Sequence, residues 1–202
     1  MRTARRITVI AALCFVLTGI ILMICGAGMA GFKIEKLFND DRKRNSIEIK
    51  QKFDSVDVNA AIDNIEFIPS EDSTSTIELY ESSRSYYDVR VEDNTLKISY
   101  KNDKKWYEYL SFGSFTARDI KVLIPAGKYL SIKAQTGIGN ITIPESFKAD
   151  IIETSTGIGN IKAPKAAEHT NINSGIGDIT VPKSEISENA EISTGIGQVN
   201  RR

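Results

Sequence analysis

The stretch Thr136-Gly137-Ile138-Gly139-Asn140-Ile141-Thr142-Ile143-Pro144 recurs as Thr156-Gly157-Ile158-Gly159-Asn160-Ile161-Lys162-Ala163-Pro164. It returns as Ser174-Gly175-Ile176-Gly177-Asp178-Ile179-Thr180-Val181-Pro182, and a last copy reads Thr194-Gly195-Ile196-Gly197-Gln198-Val199-Asn200. The first glycines stand at 137, 157, 175 and 195, which makes the period 20, 18 and 20 residues. From that glycine to the proline is seven residues in all three complete copies, so length varies only in the connector after proline. A period near 20 with one strand–turn–strand unit per repeat is the pattern of a solenoid, each coil stacked on the last.

The approach to each motif keeps one phase. Ile132, Ala134 and Thr136 step by two, as do Ile152, Thr154 and Thr156, then Thr170, Ile172 and Ser174, then Ala190, Ile192 and Thr194. A two-residue deletion in the third period preserves inside/outside alternation, whereas a one-residue deletion would turn every side chain to the other face.

Two glycines around an isoleucine, followed by Asn, Asp or Gln, suggest three chemistries. A phosphate cradle needs a longer glycine loop opening a helix, and strands flank every copy here. Calcium needs six to eight oxygens with several carboxylates, but Asn140, Asn160, Asp178 and Gln198 offer one carboxylate. The structural reading remains: the glycines turn a corner where a Cβ would clash, and Ile138, Ile158, Ile176 and Ile196 stack inside. Asn140 and Asn160 form a side-chain ladder at that corner, continued by Asp178 and Gln198.

N-terminal to the repeats, apolar and polar residues alternate from Ser46 onward, beginning with Ile47, Ile49, Phe53, Val56 and Val58. Strand-like runs follow at 65–68, 76–80, 87–91, 96–100 and 120–124, separated by turn-forming clusters such as Glu92-Asp93-Asn94. No stretch in this half keeps an apolar helical period for three turns, so the predicted fold class is all-β. It is a single-stranded β-solenoid with coils of about 18–20 residues, capped by an aromatic-rich N-terminal β region.

The GIGNI copies resemble the glycine–isoleucine–asparagine signature of bacterial putative-adhesin domains of unknown function, including the head GIN domain group. Ala60-Ala61-Ile62-Asp63-Asn64-Ile65-Glu66-Phe67-Ile68-Pro69 echoes the motif with one extra residue. The resemblance spans roughly 47–200. It implies a β-solenoid at the cell surface, commonly behind a membrane segment, and no catalytic residues.

Of 202 residues, 26 are Lys or Arg and 26 are Asp or Glu, and the formal net charge is zero. That zero averages unlike parts: residues 1–32 carry Arg2, Arg5 and Arg6 and no acid, and the rest is mildly acidic. Residues 7–32 form an uncharged run of 26, which as a helix reaches about 39 Å against a hydrocarbon layer of roughly 30 Å. The run is too long for a signal-peptide core, and bulky Ile24 before Cys25 argues against a lipobox. The expected organisation is a cytoplasmic tail over 1–6, a transmembrane signal anchor over 7–32 and a juxtamembrane spacer over 33–46. The extracytoplasmic solenoid then fills 47–202, with clean repeats over 130–200. The arginines keep the N-terminus inside, so the protein is expected in the cell membrane as a single-pass anchor with its C-terminal domain extracellular. Cys14 and Cys25 both fall in the apolar run, which excludes a disulfide scaffold outside.

Thirteen Phe, Tyr and Trp lie between residues 33 and 129, and only Phe147 follows. The densest cluster, Trp106, Tyr107, Tyr109, Phe112 and Phe115 behind Lys104 and Lys105, is the candidate partner-binding surface, for an envelope protein or a glycan. The favoured reading of the same residues is a hydrophobic cap on the open end of the solenoid, since the fold requires a cap and does not require binding. His169 is the sole histidine and has no nucleophile at a telling spacing. No acid/base pair stands out among the carboxylates, no metal site or cofactor is expected, and the surface lacks the basic stripe of a nucleic-acid binder. The expectation is a non-catalytic cell-surface scaffold or adhesin-like interaction module. The alternatives are an accessory or sensor component of an envelope stress system and, less favoured, a polysaccharide-active β-helix enzyme.

Overall fold

The computed structural model describes residues 12–22, 25–26, 43–71, 74–82, 85–102, 118–164, 166, 168–183 and 189–202. The chain divides into two units: residues 1–40 with 111–114, and residues 41–110 with 115–202. In the first, residues 12–22 are helical, and Leu13, Phe15, Val16, Leu17, Ile20, Ile21 and Leu22 are exposed. Among the described residues no helix is long and apolar enough to cross a membrane.

Among the described residues the second unit has fifteen strands. They are β1 (Lys43–Ile49), β2 (Ser55–Asn59), β3 (Asp63–Ser70), β4 (Ser75–Glu81), β5 (Ser85–Glu92), β6 (Thr95–Asn102), β7 (Arg118–Pro125) and β8 (Gly127–Ile138). Then come β9 (Ile141–Thr142), β10 (Phe147–Ile158), β11 (Ile161–Lys162), β12 (His169–Ile176), β13 (Ile179–Val181), β14 (Ala190–Ile196) and β15 (Val199–Arg201). One sheet has the order β1-β4-β7-β3-β9-β11-β13-β15 and the other β14-β12-β10-β8-β2-β6-β5. Each repeat therefore gives one long strand to the second sheet, turns at its glycines, and gives one short strand to the first. This is the predicted solenoid. The strand-like runs of the N-terminal half fall inside β3, β4, β5, β6 and β7.

Stacking is parallel and in register. Ile132 lies beside Ile152, Ile152 beside Thr170 and Thr170 beside Ala190, so the predicted two-residue phase is the observed one. On the other sheet Ile141, Ile161, Ile179 and Val199 form a matching column. Ile132, Ile141, Ile152, Ile161, Ile172 and Ile179 are almost wholly buried. Each such side chain contributes about 1.5–3 kcal/mol by leaving water. At the strand ends remote from the glycine corners an aromatic cluster fills the wider core. Phe67 meets Phe147 edge-on at 5.9 Å, Phe147 meets Tyr129 at 6.2 Å, and Tyr129 stacks on Phe53 at 6.3 Å.

The degenerate motif at 60–69 is the coil beneath the first clean repeat: Ile65 pairs with Ile141, and Val56 with Ile132. Below it the order departs from the chain. β6 runs parallel to β2, and β7 parallel to β3, so the strands that follow in sequence fold back under the coil that precedes them. β1 on β4 closes this end of one sheet and β5 that of the other, all with antiparallel pairs, the β5–β6 hairpin turning at Asp93 and Asn94 with φ of 51° and 57°. Positive φ at both turn positions matches the right-handed twist of the flanking strands.

Candidate functional site

The glycine corner is the most regular feature of the molecule. Gly139, Gly159, Gly177 and Gly197 have φ of 151°, 154°, 145° and 148°, a backbone state that L side chains rarely adopt. A Cβ on Gly159 would also overlap the carbonyl oxygen of Gly139 in the coil below. The first glycine is equally constrained: a Cβ on Gly157 would stand 2.5 Å from the carbonyl oxygen of Gly137.

This close backbone contact overturns one expectation. Ile138, Ile158, Ile176 and Ile196 are paired in register but point outward, with 41%, 49%, 46% and 67% of their surface exposed. Simple alternation from Thr136 places them inside. The turn between the two glycines breaks the alternation, and the inner side of the corner is filled by carbonyl groups.

The amide ladder exists, with a bonding pattern the sequence did not specify. Each side-chain oxygen accepts the backbone N–H of the next coil rather than a neighbouring amide. Asn64 Oδ1 accepts from Asn140 N–H at 2.8 Å, Asn140 Oδ1 from Asn160 N–H at 2.8 Å, and Asn160 Oδ1 from Asp178 N–H at 2.7 Å. Asp178 Oδ1 then accepts from Gln198 N–H at 2.9 Å, and at the lower end Asn64 Nδ2 donates to Asp119 Oδ1 at 2.9 Å. Those oxygens are committed to N–H groups, which weakens further the calcium reading of the motif.

A second ladder runs inside. Thr156 Oγ1 donates to the carbonyl of Gly139 at 2.9 Å, Ser174 Oγ to that of Gly159 at 2.9 Å, and Thr194 Oγ1 to that of Gly177 at 2.8 Å. Thr136 Oγ1 does the same to Asp63, which stands where later coils have their second glycine. Asp63 is itself buried and accepts from the Tyr87 hydroxyl at 2.6 Å. The sequence carried the signal, since a Thr or Ser precedes the first glycine in every copy; what it did not show is the acceptor.

Outside the corner the second sheet presents ion pairs, with Lys133 beside Glu153 at 2.9 Å and Lys97 beside Glu92 at 2.7 Å. The Glu92 contact holds the Lys97 ammonium above its usual range and the Glu92 carboxyl below its own. Lys128 is raised similarly by its hydrogen bond to Asp150. Burial pushes the Tyr129 phenol up to about 12, while its hydroxyl donates to the carbonyl of Pro125 at 2.7 Å. His169 opens β12 beside Ile151. Among the described residues no three His, Cys, Asp or Glu side chains gather to hold a metal ion.

Around the corner the outer surface changes character. Four columns run along the stack: Gln135, Ser155, Asn173 and Ser193; the four first glycines; the four outward isoleucines; and Asn140, Asn160, Asp178 and Gln198. Asp178 is the only formal charge among these sixteen residues, in a chain that is 26% charged. The aromatic candidates Trp106, Tyr107, Tyr109, Phe112 and Phe115 lie outside the described residues.

Comparison with known proteins agrees with this geometry. The family model described as Toastrack DUF4097 matches residues 53–201. Among solved structures, a putative cell adhesion protein from Clostridium sporogenes ATCC 15579 is 12% identical, with 79% of this chain and 98% of that one covered at a TM-score of 0.53. A putative adhesin from Parabacteroides distasonis ATCC 8503 is 14% identical, with 81% and 79% covered at a TM-score of 0.37. The first likeness shows the shared fold. No curated protein matches the chain.

Proposed function

Starting from a chain that belongs to the Toastrack DUF4097 family, we propose a non-catalytic surface module, anchored in the membrane by residues 7–32 and offering its β-solenoid to a partner outside the cell. The observation that carries the reading is the pair of hydrogen-bond ladders at the corner. Side-chain oxygens and hydroxyls that could bind a metal or activate a nucleophile are spent on holding one coil to the next. What such a ladder produces is a stiff rod with regular outer faces, suited to display and contact. The name of the Clostridium sporogenes structure, a putative cell adhesion protein, supports an adhesin-like role. The uncharged 26-residue run behind three arginines supports the anchor and its orientation.

The test uses the full chain. In intact bacteria, external protease should degrade the solenoid and spare an N-terminal fragment. Vesicles carrying the chain should adhere to cells or to immobilised glycans. A cytoplasmic solenoid would sink the anchor. Release of reducing ends from a polysaccharide would replace the module by an enzyme. An envelope-stress response that fails when residues 106–115 are altered, in the absence of adhesion, would favour the sensor role.

A further inference from the structure

The outward isoleucine column and the exposed glycine column lie side by side along the stack, a ridge next to a groove. We infer that this corner is an interface between two copies of the chain, packed side by side with their solenoid axes parallel. A two-fold axis along the stack exchanges the columns. The ridge of Ile138, Ile158, Ile176 and Ile196 then enters the partner's groove at Gly137, Gly157, Gly175 and Gly195, and the partner's ridge enters this one. A two-fold contact must be self-complementary, and a ridge beside a groove meets that condition.

Three further observations favour a second copy over another occupant. An identical ladder matches all four isoleucines at the strand spacing of about 4.8 Å by construction. The same exchange sets the outer columns against each other: Gln135 faces Asn140, Ser155 faces Asn160, Asn173 faces Asp178 and Ser193 faces Gln198. Every pair can hydrogen-bond, and the single carboxylate meets an amide rather than its own copy. Finally, the strip lacks the basic residues that an anionic lipid surface would call for.

The strip is four coils tall, about 19 Å at the strand spacing, and falls short of the roughly 800 Å² per partner of a standard interface. Pairing is therefore weak in dilute solution. The parallel arrangement puts both β1 strands at the same end, as two chains held in one membrane require, and confinement there raises the effective concentration. Only that strengthening draws on the anchor proposed above; the ridge-and-groove fit does not.

Single cysteines test the arrangement in full chains carrying Cys14→Ser and Cys25→Ser, reconstituted into phosphatidylcholine vesicles under mild oxidation. Ile138→Cys and Ile196→Cys should each form a disulfide-linked dimer, well above the random-collision yield set by Lys162→Cys on the other sheet. A mixture of differently tagged Ile138→Cys and Ile196→Cys chains should give no mixed product above that background. Adding Ile158→Lys and Ile176→Lys should lower the Ile138→Cys yield about tenfold while leaving the melting temperature within a few degrees. Cross-linking at background, a strong mixed 138–196 product, or indifference to the lysines would each overturn the proposal.

Discussion

The hydroxyl of Thr156 donates to the carbonyl oxygen of Gly139, one coil below, at 2.9 Å. Two residues earlier on the same strand, the Thr154 hydroxyl is buried and meets no acceptor among the described residues. Isosteric replacement separates the two. Thr156→Val leaves a buried carbonyl unpaired and should cost about 1–3 kcal/mol, whereas Thr154→Val removes an unpaired polar group and should be neutral or stabilising by about 1 kcal/mol. Urea midpoints of the two variants, compared with the parent chain, decide it.

Only one of the two central residues of the motif should be sensitive to substitution. Gly159→Ala forces a Cβ into the carbonyl of Gly139 at φ 154°, and it should abolish cooperative folding or cost more than about 3 kcal/mol. Ile158→Thr changes an exposed side chain and should shift stability by less than about 0.5 kcal/mol. Thermal denaturation followed by circular dichroism reads both.

The ladder distinguishes an acceptor from a mere polar residue. Asn140→Asp keeps the oxygen that receives Asn160 N–H and should be close to neutral, as Asp178 does the same for Gln198. Asn140→Ala should cost about 1 kcal/mol. Asn160→Asp stacks a second carboxylate directly on Asp178, so its cost should exceed that of Asn140→Asp and shrink in high salt. Stability measured at low and high ionic strength checks the order of the three.

Tyr129 gives a pH signature. Its phenol titrates near 10 when unfolded and at about 12 in the fold, so the unfolded chain loses the proton first as pH rises. The contribution is complete below pH 10, declines between 10 and 12, and amounts to roughly 2–3 kcal/mol in all. Tyr129→Phe should be less stable at neutral pH by about 1 kcal/mol, from the lost bond to Pro125, and should lack that alkaline decline. Equal alkaline slopes in the two proteins would refute the assignment.

Much of this fold could be read from residue spacing because each repeat sees only its neighbours. The column through Ile132, Ile152, Thr170 and Ala190 follows from counting by two, and the polar side chain after each second glycine marks the corner ladder. Ile138 points outward because the turn between Gly137 and Gly139, with its positive φ, interrupts the alternation that counting by two assumes. Nor does periodicity reveal that β7 pairs with β3, in register from Asp63 beside Arg118, and β6 with β2. The hydroxyl ladder lay between: its donors stand in every copy, and its acceptors emerge only once the coils are stacked.

That stacking also fixes how the molecule yields to force. The upper coils are held by one repeated set of bonds, a parallel strand pair on each sheet, an amide and a hydroxyl. A pull on residue 202 therefore loads a single coil at a time, and the rod comes apart as a zipper does, each event freeing 18–20 residues, or about 60–70 Å of extended chain. The non-sequential strands at the base bind segments 40 and 55 residues apart, so their release frees a longer stretch of chain than one coil does. Such a stack lengthens stepwise under load, one coil at a time.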